Sequence, residues 1–174
     1  VDRTSNGKGR VDSLTLAELR ALDFGAWKAP QFAGERIPTL DETLDTIVGT
    51  RPDMSFCLEV KEDSEETARR SLAVLQERKL LGQCTMISFH ANILRLLKTL
   101  DPRVRAQGFP EGVARNFEPG PDGTDSLLSR VGIPFKRLTE ELVAYYNARD
   151  IEVDTWVIDT VETLDKALAM DLFS

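Results

Sequence analysis

Histidine is almost missing from this chain: His90 is the single one in 174 residues. Cysteine is scarce too, with only Cys57 and Cys84, each inside a strand-like run. Neither shows the regular loop spacing of a zinc site or a disulfide framework. Their positions read as two buried thiols in a reducing compartment, which makes the expected location cytoplasmic; a bridge between neighbouring strands is the alternative. No apolar run reaches the roughly 18 residues that a membrane span needs, and the opening "VDRTSNGKGR" is polar with no signal-peptide core. There is no block of lysine and arginine to follow a phosphate backbone. The 22 basic residues face 29 acidic ones, a formal charge of -7, so nucleic acid is not an expected partner. No glycine-rich dinucleotide fingerprint follows any strand-like run, and "NGKG" lacks the spacing and the Ser/Thr of a P-loop.

What is present is the material of a globular α/β domain. With 41% hydrophobic and 29% charged residues, the chain can bury a sizeable core. Capping boxes at Thr15/Glu18 and Thr39/Glu42 open two early helices. A strand then follows at about 55–61, an amphipathic helix at about 64–80, the strand "CTMISF", the helix "ANILRLLKTL" and the short strand "VRAQGF". The stretch "PEGVARNFEPGPDGTDS" reads as loop with one helical turn near Leu127. The rhythm resumes with a helix capped by Thr139, the strand "IEVDTWVI" and the helix "TVETLDKALAM". Repeated βα units with apolar strands imply parallel strands under a layer of helices, either a doubly wound sheet or a barrel, and the missing dinucleotide fingerprint favours the barrel.

One run is unusual. In "CLEVKED" the alternation of an extended chain sets Phe56, Leu58 and Val60 on one face and Cys57, Glu59 and Lys61 on the other. The first face is apolar. The second holds two opposite charges, which read either as an ion pair filling the interior of a barrel or as a site.

The run "VDRTSNGKGRVDSLTLAELRALDFGAWKAPQFAGERIPTLDETLD", Val1 to Asp45, resembles the characteristic central segment of the glycerophosphodiester phosphodiesterase family, and the "LEVK" strand and the late "DTWVID" strand continue the likeness. It extends over nearly the whole chain and is loosest between Arg115 and Phe135. The resemblance implies a (β/α)8 barrel of TIM type with its site at the C-terminal ends of the strands. Here the barrel lacks its first strand-helix-strand portion, so residues 1–174 form a single partial barrel domain: 1–45 the family's insertion segment and following helix, 46–174 the later βα units. It also implies metal-dependent hydrolysis of a small-molecule glycerophosphodiester to glycerol phosphate and an alcohol. By position, Glu59 matches a carboxylate that binds one divalent ion, Mg2+ or Ca2+, and Lys61 matches the basic catalytic residue that meets the phosphate. A hard ion takes oxygen ligands and polarises phosphoryl oxygens, while an ammonium nearby meets the charge that develops on them. Trp156 matches a tryptophan near the glycerol part of the substrate, with a core-filling role as the alternative. Trp27 falls in the insertion segment, where loop packing is expected.

The departures matter as well. The family's two histidines and its first two metal carboxylates lie upstream of the position of Val1. His90, at a strand-to-helix junction, has no catalytic counterpart in the family and reads as a helix-start or loop residue. These 174 residues are therefore expected to be inactive alone, and a non-catalytic phosphodiester-binding or scaffolding barrel, or a degenerate fragment, is the alternative function. The final "ALAMDLFS" reads as shortened, because the family places a glycine-bearing turn before its last strand.

Overall fold

Alternating strand-like and helix-like runs become one parallel sheet with helices between its strands. The computed structural model describes residues 1–170; the end of the shortened "ALAMDLFS" segment lies outside the described residues. The strands are β1 (Phe56–Glu59), β2 (Cys84–Ile87), β3 (Arg105–Gly108), β4 (Arg130–Pro134) and β5 (Glu152–Trp156). They pair in the order β1-β2-β3-β4-β5, every pair parallel. That order separates the two architectures left open by the sequence. A doubly wound sheet reverses its strand order at a switch point, whereas a barrel adds each strand beside the one before. The sheet is thus an arc of the barrel kind.

The helices are α1 (Leu16–Arg20), α2 (Leu40–Thr50), α3 (Glu65–Glu77), α4 (Ala91–Leu100), α5 (Glu140–Asn147) and α6 (Val161–Leu168). Their starts follow local chemistry. Thr15 and Glu18 form a reciprocal capping box, as do Thr39 and Glu42, while Ser64 and Thr139 each accept from a backbone N–H of the first turn. No helix among the described residues is long and apolar enough to cross a membrane.

The core lies between the outer face of the sheet and the helices. Met86, Ala106, Val131, Ile133 and Val153 are buried on that face, and Ala68, Leu72 and Leu75 of α3 and Ile93, Leu94 and Leu97 of α4 are buried with them. Each large apolar side chain so removed from water contributes about 1.5–3 kcal/mol, which fixes the side of the strands that faces the helices. The other face is left to the polar residues.

Two sequence expectations change. β4 was not anticipated: "RVGIP" is short and holds Gly132 and Pro134, residues that weaken a strand signal, yet Pro134 stands at the strand end where no further ladder bond is required of it. Cys57 is exposed rather than buried, and both thiols are free. The register pairs Cys57 with Thr85 and Cys84 with Phe56, so the two cysteines lie on opposite faces and no bridge forms.

The chain divides into two compact units, Val1–Pro52 and Asp53 onward. In the first, Asp23 organises the loops: its Oδ1 accepts from the N–H groups of Gly25 and Ala26 at 2.8 and 2.9 Å, and its Oδ2 from Gly34 at 2.8 Å. These backbone donors hold its carboxyl below the ordinary range. Trp27, also here, is exposed and donates its indole N–H to the Phe24 carbonyl.

Candidate functional site

Parallel pairing brings one row of the polar face into line. Glu59 pairs with Ile87, Ile87 with Gln107, Gln107 with Arg130, and Arg130 with Glu152. By alternation, Lys61, Phe89, Phe109 and Asp154 lie two positions further along the same face, towards the C-terminal ends of the strands. Trp156 lies two beyond Asp154.

Two clusters occupy this face. At the end of β1, Lys61 donates to Glu59 Oε2 at 2.5 Å. The ammonium is well exposed and the carboxylate less so, at 78% and 30% of their side-chain surface. Glu59 is therefore held by a partner two positions along its own chain. At the ends of β2, β3 and β5, the rings of Phe89 and Phe109 stack with centroids 3.6 Å apart. Trp156 stands edge-on to both, at 6.3 and 6.1 Å. The arrangement satisfies the quadrupoles of all three rings and leaves Trp156 partly open to solvent.

Between the clusters, closer to the N-terminal ends, Arg130 bridges two carboxylates of β5. It donates to Glu152 and lies 3.4 Å from Asp154 Oδ2, while Arg105 reaches Glu152 at 3.2 Å. Burial raises the Asp154 carboxyl above its usual range, with Arg130 opposing the shift and Glu152 adding to it. Gln107 is buried on this face with Oε1 unpaired.

The structure thus joins Glu59 to Lys61 directly and sets Trp156 on β5, at the other edge of the sheet, against an aromatic pair. His90 is the N-cap residue of α4, buried, and makes no side-chain cap bond. It follows Phe89, so alternation turns it away from the polar face. Sequence reasoning missed Phe89, Phe109 and Arg130. The available signal was parity: each aromatic closes a strand-like run, in "ISF" and "QGF", two positions after a residue of the polar row.

The donor set bears on the divalent ion. Among the described residues, no group of three or more His, Cys, Asp and Glu comes together as a metal site. Mg2+ or Ca2+ takes six or more oxygens, so Glu59 fits such an ion as one ligand and these residues do not complete its shell.

Residues 1–172 match the family model described as Glycerophosphoryl diester phosphodiesterase family. A protein of Bacillus subtilis (strain 168), "Putative glycerophosphodiester phosphodiesterase YhdW", is 28% identical over 182 residues, covering 98% of this chain and 70% of that protein. A glycerophosphodiester phosphodiesterase of Caldanaerobacter subterraneus subsp. tengcongensis is 32% identical over 108 residues, 60% of this chain and 44% of its own length. The solved structure of an Oleispira antarctica phosphodiesterase in complex with the product sn-glycerol-3-phosphate superposes with a TM-score of 0.81 at 25% identity, covering 99% of this chain and 70% of that one.

Proposed function

The chain belongs to the glycerophosphoryl diester phosphodiesterase family, and from that premise we propose that it forms part of an enzyme that hydrolyses small glycerophosphodiesters to glycerol phosphate and an alcohol. The observation that carries the proposal is the Glu59–Lys61 pair at the C-terminal end of β1, on the same face as Phe89, Phe109 and Trp156. A charged end suits a phosphodiester and an aromatic end suits the carbon part of glycerol or of the released alcohol. The product complex of the Oleispira antarctica relative supports glycerol phosphate as the group to be held.

The fold that supports this reading is a (β/α)8 barrel to which the five strands contribute an arc. Lys61 meets the phosphate charge, Trp156 packs against the organic part, and Glu59 is one oxygen ligand of a divalent ion, Mg2+ or Ca2+, whose remaining ligands come from outside the described residues. Such an ion supplies charge stabilisation at the phosphoryl oxygens. Proton transfer needs groups that titrate near neutrality, for which His90, turned from the polar face, is badly placed. The 174 residues assayed alone are accordingly expected to release no product.

One observation favours a second reading, a barrel that binds phosphodiesters without cleaving them: the ammonium and the carboxylate already satisfy each other at 2.5 Å. A single experiment separates the two. The intact protein is stripped with chelator, returned to Mg2+ or Ca2+, and incubated with glycerophosphocholine, glycerophosphoethanolamine and glycerophosphoglycerol. Metal-restored release of glycerol phosphate is the expected result; saturable binding without release selects the binding barrel, and neither binding nor release removes both readings.

A further inference from the structure

The loops that leave β1, β2 and β3 are tied to one another around Lys61. On its N-terminal side, the Ser88 hydroxyl donates to the Val60 carbonyl at 2.9 Å and accepts from the His90 N–H at 3.1 Å. Ser88 is 1% exposed, so one enclosed hydroxyl joins the end of β1 to the start of α4. On its C-terminal side, Asp63 Oδ1 accepts from Asn92 at 2.5 Å, and Oδ2 lies 3.5 Å from the Asn116 amide and 3.7 Å from His90 Nδ1. Asn116 also donates to Asn92 Oδ1 at 2.7 Å, closing a ring of three side chains from the loop after β1, the first turn of α4 and the loop after β3. Lys61 and Glu62 are the only residues between the two anchors.

We propose that Ser88 and Asp63 are positioning residues for Lys61: together they pin the backbone on both sides of it, so that its ammonium is presented to the site from a fixed point. A lysine side chain carries about 2 kcal/mol of rotamer entropy and four flexible carbons, and a loop that drifts beneath it adds to the misplacement. A shift of 1 Å at a reacting group costs on the order of 10²-fold in rate. Both oxygens of Asp63 face the ring, towards Asn92 on one side and Asn116 and His90 on the other, which assigns it to holding the loop and not to the substrate or the ion. The proposal rests on the hydrolytic reading of the site for its activity readout, but not for its structural one.

The test uses the intact protein. Asp63→Ala removes the exposed anchor without opening the core, and is expected to raise amide hydrogen exchange at Val60, the residue before Lys61, whose N–H donates to the Ile87 carbonyl at 2.8 Å. It should lower kcat roughly 10- to 100-fold while leaving the metal concentration for half-activity unchanged. The double variant Asp63→Ala/Lys61→Met should be no slower than Lys61→Met alone, because Asp63 acts through Lys61. Exchanging the pair, Asp63→Asn with Asn92→Asp, keeps one hydrogen bond between the same positions and should recover most of the lost kcat. Ser88→Ala removes the enclosed anchor; if it fails to fold, the Asp63 variants still decide. Wild-type exchange at Val60 in Asp63→Ala overturns the proposal, and so does an additive loss in the double variant. A changed metal requirement would make Asp63 a ligand and overturn it as well. If the wild-type protein hydrolyses no glycerophosphodiester, the functional reading fails while the exchange measurement still judges the clasp.

Discussion

Lys61 and Glu59, two positions apart on one strand edge, form an ion pair of 2.5 Å in which the ammonium stays largely in water. Exposed pairs of this kind contribute about 0–1 kcal/mol, so its presence at the mouth of the arc is not explained by stability. Lys61→Met is expected to leave the melting temperature almost unchanged and to slow glycerophosphodiester hydrolysis by the intact protein at least tenfold, with metal response retained. Glu59→Gln, equal in volume but uncharged, should weaken the metal response and turnover together. Metal titrations of activity for the two variants separate the roles; a Glu59→Gln protein with wild-type rate and metal dependence would remove Glu59 from the ligand set.

The two thiols should differ in reactivity. Cys84 is 1% exposed, and burial, with a smaller contribution from Cys57, pushes its thiol up to about 12. Only the thiolate attacks, and at neutral pH almost none of Cys84 is in that form. A chromogenic disulfide reagent is expected to label Cys57 in the native protein and Cys84 only after denaturant is added. Mass mapping of the labelled peptides checks it.

Asp101 should govern part of the acid limb of stability. Its carboxylate accepts from Arg103 at 2.8 and 3.0 Å, from Gln76 at 2.8 Å and from the Arg103 N–H at 3.0 Å, and these donors, Arg103 foremost, hold its carboxyl well below the usual range. A depressed folded pKa stabilises above the unfolded value, about 3.9, and that stabilisation fades as pH falls from there towards the folded value. Denaturant midpoints measured at pH 7, 4 and 3 should drop less steeply for Asp101→Asn than for wild type. Equal slopes would show that Asp101 does not contribute to this limb.

Gly25 admits no side chain. A Cβ there would lie 1.7 Å from the Phe32 carbonyl oxygen and 2.9 Å from the Glu35 Cβ. Backbone must move to make room, so Gly25→Ala is expected to cost at least about 1–3 kcal/mol, read as a lowered denaturant midpoint. Gly49→Ala, where nothing stands within 4 Å, should be neutral or slightly stabilising.

Much of this architecture could be read from the chain alone because local chemistry and long-range packing agree. The Thr15 and Thr39 boxes, the apolar face of α3 and the strand runs at β1, β2, β3 and β5 each state their element within a few residues. β4 was hidden because Gly132 lies where a side chain would meet the Phe109 ring at 2.9 Å: its glycine answers to a neighbour more than twenty positions away, which no local pattern reveals. The pairing of Glu59 with Lys61 was legible from strand alternation. The aromatic trio was not, since stacking of Phe89 on Phe109 depends on the β2–β3 register, and Trp156 reaches them only through the curl of the sheet.

The strand order has a further consequence, for how the chain reaches this state. Every ladder joins consecutive strands, so each pairing, Phe56 with Cys84 or Arg130 with Glu152, closes a loop of only a few tens of residues. Closure entropy grows slowly with such lengths, so no ladder in the sheet requires a much longer closure than its neighbours. Nucleation at α3–α4 over β2, where Leu75, Leu97 and Met86 are fully enclosed, could then extend strand by strand in either direction, each new βα unit docking on an edge already formed.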